Sequence, residues 1–435
     1  MATEVAGWGR YPISHSKVVP IRWRDERIPS GSGGELYLPI GLARSYGDSC
    51  LNDGQSLLST LSMDRLIAFD PESGRLIAES GISFDAILRF AVPHGWFLPV
   101  TPGTRFVTLG GAVANDVHGK NHHCSGTFGD HVLRFDLVRS DGSRMICSPT
   151  ENSDWFRATI GGLGLTGLIA WVEVQLKKVA NSWIDAETVR CAGVDDFYDL
   201  SAESEPKFEY LVTWVDSLET RSVGKGLFMR GNHNSDPQRT ERQMAKPPGL
   251  AVPFDLPFSL LNRMTLKAFN TLYYRAALLG PARKCAHFGS FFYPLDAIGR
   301  WNRLYGSAGL IQWQALLPIE NRDVAREILS TVARSGSGSF LTVMKLMGEH
   351  RAAGLLSFSG RGITIALDFP YSDSLLPMLE RLDGLVAEAG GRLYPAKDAR
   401  MSGVHFRQFY PNWEKFLPYI DPRFSSSFWR RVMKD

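Results

Sequence analysis

At 435 residues the chain is too long for one ordinary hydrophobic core, so two domains are expected. A formal net charge of +3 with no long Lys/Arg block argues against nucleic acid as a partner. Five scattered cysteines, Cys50, Cys124, Cys147, Cys191 and Cys285, lack CxxC spacing and read as free thiols of a reducing compartment.

The N-terminus carries no apolar signal core, and no apolar run is long enough to span a bilayer. A cytoplasmic protein, or one peripheral on the inner face of the plasma membrane, is expected. Short β-like runs fill the first third: GELYLPI, QSLLSTL, RLIAFD, RLIAES and HVLRFDLVRSDGSRMICS. Turn residues such as SGSGG, ESG and SDG separate them. SFDAILRFAVPHG interrupts with helical spacing, which puts Phe84, Ile87, Leu88 and Ala91 on one face. SDWFRATIGGLG predicts a second helix, capped by Ser153 or Asp154 and closed by glycine. A strand through LIAWVEVQLKKVAN ends this region near Val179.

The second region has its own strands (FEYLVTWVDS, GLIQWQALLP, GITIALDFP) and helices (NRDVAREILSTVARSG, SLLPMLERLDGLVAEAG). Between them, residues 247–284 are apolar, broken by proline at the start and basic at the end. Two readings stay open: a loop plus an amphipathic helix packed on its own domain, or a membrane-surface contact.

GGLGLTG, Gly161 to Gly167, contains G-x-G-x-x-G, but the order is wrong for a dinucleotide fingerprint. A helical pattern precedes it and a strand follows, so no helix N-terminus is offered to a phosphate. A tight turn remains. HGKNHHC gathers His118, His122, His123 and Cys124, but adjacent histidines rarely converge on one ion and no second cluster completes a shell, so no metal is expected. Lys345 and Lys397 taken alone read as solvated, and the alternation of IQWQ by itself turns Gln312 and Gln314 to solvent.

Three glycine-rich segments stand out together: IGLARSYGDS, PVTPGTRFVTLGGAVANDVHGKNHH and GGLGLTG. Converging backbone N–H groups of this kind suit a pyrophosphate beside a flat ring. Together they resemble the FAD-binding domain of the vanillyl-alcohol oxidase / p-cresol methylhydroxylase type. With FYPLD, WNR, KLMG, LDFP and GGRLYPAKD, the chain resembles the decaprenylphosphoryl-β-D-ribose 2-oxidase family from about Gly41 to Arg400.

The resemblance implies an α+β, two-domain FAD-binding PCMH-type fold with an inserted substrate domain on an antiparallel sheet. The FAD domain would take residues 1–182 and 392–435, the substrate domain 183–391. It implies FAD contacts at Arg44, Ser45, Tyr46, Gly47, Asp48, Gly103, Thr108, Leu109, Gly110, Gly111, Asn115, Asp116, Val117, His118, Ile169 and Tyr394. Covalent relatives carry a histidine in the Arg44 turn; Tyr46 there implies non-covalent FAD. Lys120, Trp214, Gln312, Gln314 and Lys345 would bind substrate, with Lys397 and His118 catalytic. Family members carry cysteine where this chain has Ala366, asparagine for Thr364, tyrosine for Phe292 and histidine for Tyr293, all taken as pocket positions.

The implied reaction is oxidation of C2 of a polyprenylphosphoryl-β-D-ribose. An NAD(P)H-dependent keto-reductase would complete epimerisation to the arabinose donor for cell-wall glycan, with a quinone-type electron acceptor and a peripheral membrane contact. Two alternatives are an aldonolactone or alditol oxidase of the same fold, and a non-catalytic flavoprotein scaffold.

Overall fold

The computed structural model describes residues 2–29, 34–236, 238–245 and 249–434. Most of the SGSGG turn, and Pro247 and Pro248 of the 247–284 segment, lie outside them.

Three sheets carry the fold. The first is mixed: Ser56–Ser59 pairs in parallel with both Ile13–Pro20 and Tyr37–Ile40, and Thr3–Ala6 adds antiparallel at the edge. The second is antiparallel, with Leu168–Gln175 between Arg75–Glu79 and Val132–Val138. The expected helix forms at Phe84–Ala91, where Ser83 accepts from the Ala86 N–H and Phe84, Ile87, Leu88 and Ala91 are buried. The next helix, Ser153–Thr159, is capped differently from expectation. Asn152 takes the cap position at φ 48° with no side-chain cap bond, and Ser153 and Asp154 are already helical. Its Nδ2 donates instead to the Ile146 carbonyl, 2.8 Å away.

The third sheet has eight strands, every pair antiparallel, with Thr342–Met347, Gly362–Pro370 and Leu310–Leu317 side by side toward one edge. Leu310–Leu317 is buried at every position, so both faces are covered. On one face, Ile311, Trp313, Ala315 and Leu317 join a core with Ala325, Ile328, Leu329 and Val332 of the helix Arg322–Ser335. Those helical positions follow the i, i+3, i+4, i+7 stripe, and the helix stops at Gly336, whose φ of 74° costs glycine little. The helix Leu376–Glu388 adds Leu379, Leu382 and Val386 to the same core.

The chain then returns. Arg392–Leu393 pairs on the edge of the large sheet, and Phe424 bridges Tyr37 of the first sheet. The closing helix Ser427–Val432 carries Arg431, whose guanidinium holds Asp48 at 2.7 and 2.9 Å and Asp398 at 2.8 Å. Both carboxylates are buried, so this arginine ties the Tyr46 turn, the segment after Tyr394 and the C-terminal helix together. Arg431→Ala would leave two buried carboxylates without their cation, and such losses typically cost about 3–5 kcal/mol. Urea unfolding should show a fall in stability of that order, against little change for Arg431→Lys if charge alone sufficed; we expect Lys to restore only part, because the fork serves two carboxylates.

Candidate active site

The free face of the eight-stranded sheet is the floor of a cavity of about 400 Å³. Strand register makes it a grid. Trp214 opposes Val343, Val343 opposes Ala366 and Ala366 opposes Gln314, so these four form one row across four strands. Lys345 opposes Thr364 in the next row. Because the glycine-rich segments close over this face, polar groups here are buried rather than solvated: Gln312 is 6 %, Gln314 7 % and Lys345 8 % exposed. That corrects the solvent-facing reading that alternation alone suggests.

The walls come from the glycine-rich segments. Arg44, Ser45 and Tyr46 line the cavity, as do Gly103, Thr108, Gly110, Gly111, Asn115, Val117, His118, Lys120 and Ile169, with Tyr394 and Lys397 from the returning chain. The glycines differ in purpose. At Gly103 an added Cβ meets nothing, so its backbone is open. At Gly110 it would lie 2.7 Å from the Ser80 Cβ, and the Gly110 N–H donates to the Ser80 carbonyl; this glycine serves close packing against the second sheet. In GGLGLTG, Leu163 (φ 56°) and Gly164 (φ 77°) make the expected tight turn against the cavity.

Four residues named for FAD do not line the cavity: Gly47, Asp48, Leu109 and Asp116. Asp48 is engaged by Arg431. Gly47 packs where a Cβ would come 1.7 Å from the Asp398 carbonyl. Leu109 is buried in the core of the second sheet. Asp116 accepts from Ser357 Oγ at 2.5 Å and from the Gly129 N–H, and burial raises its carboxyl to about 6. Among the departures, Phe292, Thr364 and Ala366 line the cavity, but Tyr293 does not; its hydroxyl is buried against Thr101 Oγ1 at 2.7 Å.

The electrostatics are lopsided. Arg44, Lys120, Lys345 and Lys397 line the cavity against a single carboxylate, Asp296, which already accepts from Thr104 Oγ1 and the Arg105 N–H. Lys345 donates to the Gly119 carbonyl at 2.7 Å, and Lys120 to that of Phe291. Burial lowers Lys120 to about 8, and burial with Lys120 nearby lowers Lys345 to about 7. Lys397 Nζ rests 4.0 Å from the ring centre of Tyr46. His118 is pushed well below its ordinary range by burial and then by Lys345, so it is neutral. Its Nε2 accepts from Gln314 Nε2 at 3.1 Å, and the same amide donates to Thr364 Oγ1, leaving the proton on Nδ1.

Asp368 was absent from the sequence-derived site. It opposes Gln312 across the strands and accepts a short hydrogen bond from Gln312 Nε2, while its Oδ2 is buried without a hydrogen-bond partner among the described residues. Burial raises its carboxyl and lowers Lys397; each charge draws the other back toward ionisation. The signal was present in the sequence: Thr364, Ala366 and Asp368 alternate, so a strand puts all three on one face.

The cavity carries its own test for a flavin dinucleotide. Four of the residues that line it, Arg44, Ser49, Ser80 and His118, carry a buried polar atom (Nε, Oγ, Oγ and Nδ1) without a hydrogen-bond partner among the described residues. Unmatched donors and excess cations around a largely apolar, concave space fit a ligand with phosphates, hydroxyls and a flat polar ring. No histidine stands in the Arg44 turn, and burial pushes the nearby Cys50 thiol up to about 12, so neither offers a flavin linkage.

Comparison with known proteins agrees. Residues 34–148 match the FAD binding domain family. The chain is 33% identical to a decaprenylphosphoryl-β-D-ribose oxidase of Mycolicibacterium smegmatis over 98% of its own length and 96% of the relative's. It is 31% identical to an uncharacterized protein in the mprA 5′ region of Streptomyces coelicolor, over 81% of this chain and all of the other. Similarity to an L-gulonolactone oxidase of Mus musculus, 28% identical, covers only 31% of this chain and 30% of that one. The protein binds FAD, and binds it non-covalently.

Acid or heat should therefore release intact FAD into solution; flavin fluorescence that stays with the denatured polypeptide on a gel would contradict it. A second expectation concerns Asp368→Asn. Without that carboxylate the Lys397 ammonium loses its proton at lower pH, so a basic limb that reports protonated Lys397 moves to lower pH by about one unit. Stopped-flow flavin reduction across the neutral-to-basic range checks this, and an unshifted limb would separate the two residues.

Proposed function

Because the chain belongs to the decaprenylphosphoryl-β-D-ribose oxidase family, we propose that it oxidises the C2 hydroxyl of a polyprenylphosphoryl-β-D-ribose to the 2-keto sugar. It is an FAD-dependent oxidoreductase acting on CH–OH groups. The observation that carries the site assignment is the floor itself: a strand-register grid of buried amide, hydroxyl and ammonium groups beneath the FAD-binding segments.

Lys120 and Lys345 answer the substrate's phosphodiester charge, and Gln312, Gln314 and Thr364 hydrogen-bond sugar hydroxyls. Trp214, with Tyr273 edge-on at 4.9 Å, gives an aromatic wall for the sugar and the start of the prenyl chain. Bound FAD supplies the acceptor for the two electrons that leave the carbinol carbon. His118 stays neutral and holds a proton on Nδ1, a donor without a hydrogen-bond partner among the described residues. Lys397, kept cationic by Asp368, compensates the negative charge that arrives with the electrons. The buried setting between sheet and FAD segments strengthens both interactions.

The keto product is reactive, and an NAD(P)H-dependent keto-reductase is the partner that completes epimerisation to the arabinose donor used in cell-wall glycan. A quinone-type acceptor suits an oxidase whose substrate is itself a membrane lipid. No helix among the described residues is long and apolar enough to cross a membrane, so a peripheral position is the one proposed.

Anaerobic mixing with a prenylphosphoryl-β-D-ribose should bleach the flavin, whereas free ribose and aldonolactones should not; the reverse pattern would overturn the substrate assignment. Lys397→Ala should keep its FAD and slow bleaching by about 10²–10³, as loss of one preorganised electrostatic group commonly does.

A further inference from the structure

Exposed large apolar side chains are unevenly spread. Of eighteen among the described residues, nine fall between Leu250 and Leu279. They are not the by-product of a loose segment. Asp255 is held by Arg10 at 2.9 Å and by Arg303 at 3.0 Å, which fixes the loop bearing exposed Phe254 and Phe258. The helix Arg263–Leu279 is capped by Asn262, which accepts from the Met264 and Thr265 N–H groups. Leu266 and Asn270 anchor it, with Asn270 Nδ2 donating to Asp216 Oδ1 at 2.6 Å.

The opposite side of that helix is unpartnered. At about 100° per residue, Met264, Ala268, Leu272, Ala276 and Leu279 share one outward stripe. Met264 is 83 %, Leu272 69 % and Leu279 90 % exposed. Arg263, Lys267 and Arg275 follow at four- and eight-residue spacing beside that stripe, and none has a carboxylate partner among the described residues. The one acidic residue of 249–284, Asp255, is already paired. On the stripe's other flank, Tyr273 is 38 % exposed and also lines the cavity, so the cavity meets the outside along this helix.

We propose that the segment 249–284, led by the helix Arg263–Leu279, docks this enzyme onto an anionic lipid bilayer and sets the cavity mouth at the bilayer surface. An apolar stripe edged with unpaired cations matches lipid tails beside anionic headgroups. The helix is too polar on its anchored side to insert, so it lies in the interface. The proposal rests on the lipid-linked substrate for its purpose, since a prenyl chain would then pass from membrane to cavity beside Tyr273 without crossing water.

The test uses the FAD-loaded enzyme and vesicles without substrate. Wild type should float with equimolar phosphatidylglycerol–phosphatidylcholine vesicles at least tenfold more strongly than with phosphatidylcholine alone, and less at high salt. The triple variant M264E/L272E/L279E should lose at least tenfold in binding while retaining FAD. Should that variant fold poorly, Lys267→Glu with Arg275→Glu should selectively weaken binding to the anionic vesicles. Equal binding by wild type and both variants, or no wild-type binding, would overturn the proposal. So would a lipid-free dimer that the apolar variant converts to monomer, because the stripe would then be a self-association surface. Flavin bleaching by a short-chain prenylphosphoryl ribose in solution, expected within twofold of wild type for the variants, tests the reaction without a bilayer, so docking and chemistry fail separately.

Discussion

Everything at the site depends on keeping several cations buried together in a space with almost no carboxylate. Isolated ammonium groups removed from water lose their proton or find partners. Here the partners are backbone carbonyls for Lys120 and Lys345, and a ring face plus the charge of Asp368 for Lys397. None of these partners fills the cavity. The positive field is therefore left for a ligand to answer, and phosphate groups of cofactor and substrate are the natural complement.

That arrangement requires a floor that does not move. The eight-stranded sheet supplies it by using its two faces for unlike purposes. One face is packed by the helices Arg322–Ser335 and Leu376–Glu388 into an apolar core. The other holds amide, hydroxyl and ammonium groups in register, each positioned by its neighbours on adjacent strands. Even the helix-side face is braced by a polar contact, since Trp313 Nε1 donates to Asp383, which Arg400 also engages. The C-terminal return then locks the FAD-side turn to this platform through Arg431, so the wall bearing Tyr46 and the segment bearing Lys397 cannot separate independently.

The outer end of the cavity has a different character. Around Trp214 and Tyr273 the lining is aromatic, and the helix that carries Tyr273 turns an apolar, basic face outward. A cavity that joins buried ammonium groups to an aromatic, apolar border matches a molecule with a phosphorylated sugar head and a hydrocarbon tail.

Much of this was legible in the sequence. Helical spacing placed Phe84, Ile87, Leu88 and Ala91 on one buried face because a local period needs no tertiary partner. The glycine-rich segments located the cavity wall, since turns with positive φ or open backbone leave a compositional trace. What sequence could not decide was which side of a wholly buried strand is core and which is site. Gln312 and Gln314 look solvent-facing by alternation, and only the FAD-side segments that bring His118, Tyr46 and Tyr394 over Leu310–Leu317 make their face an interior one. Likewise, Asp48 and Asp116 sit inside the right motifs, yet Arg431 and Ser357, distant in the chain, claim their carboxylates. Asp368 joined the site for the same reason in reverse: its nearness to Lys397 comes from a register and a chain return that no local pattern encodes. Local chemistry fixes what a segment can do, whereas long-range packing decides which polar atoms remain free to do it.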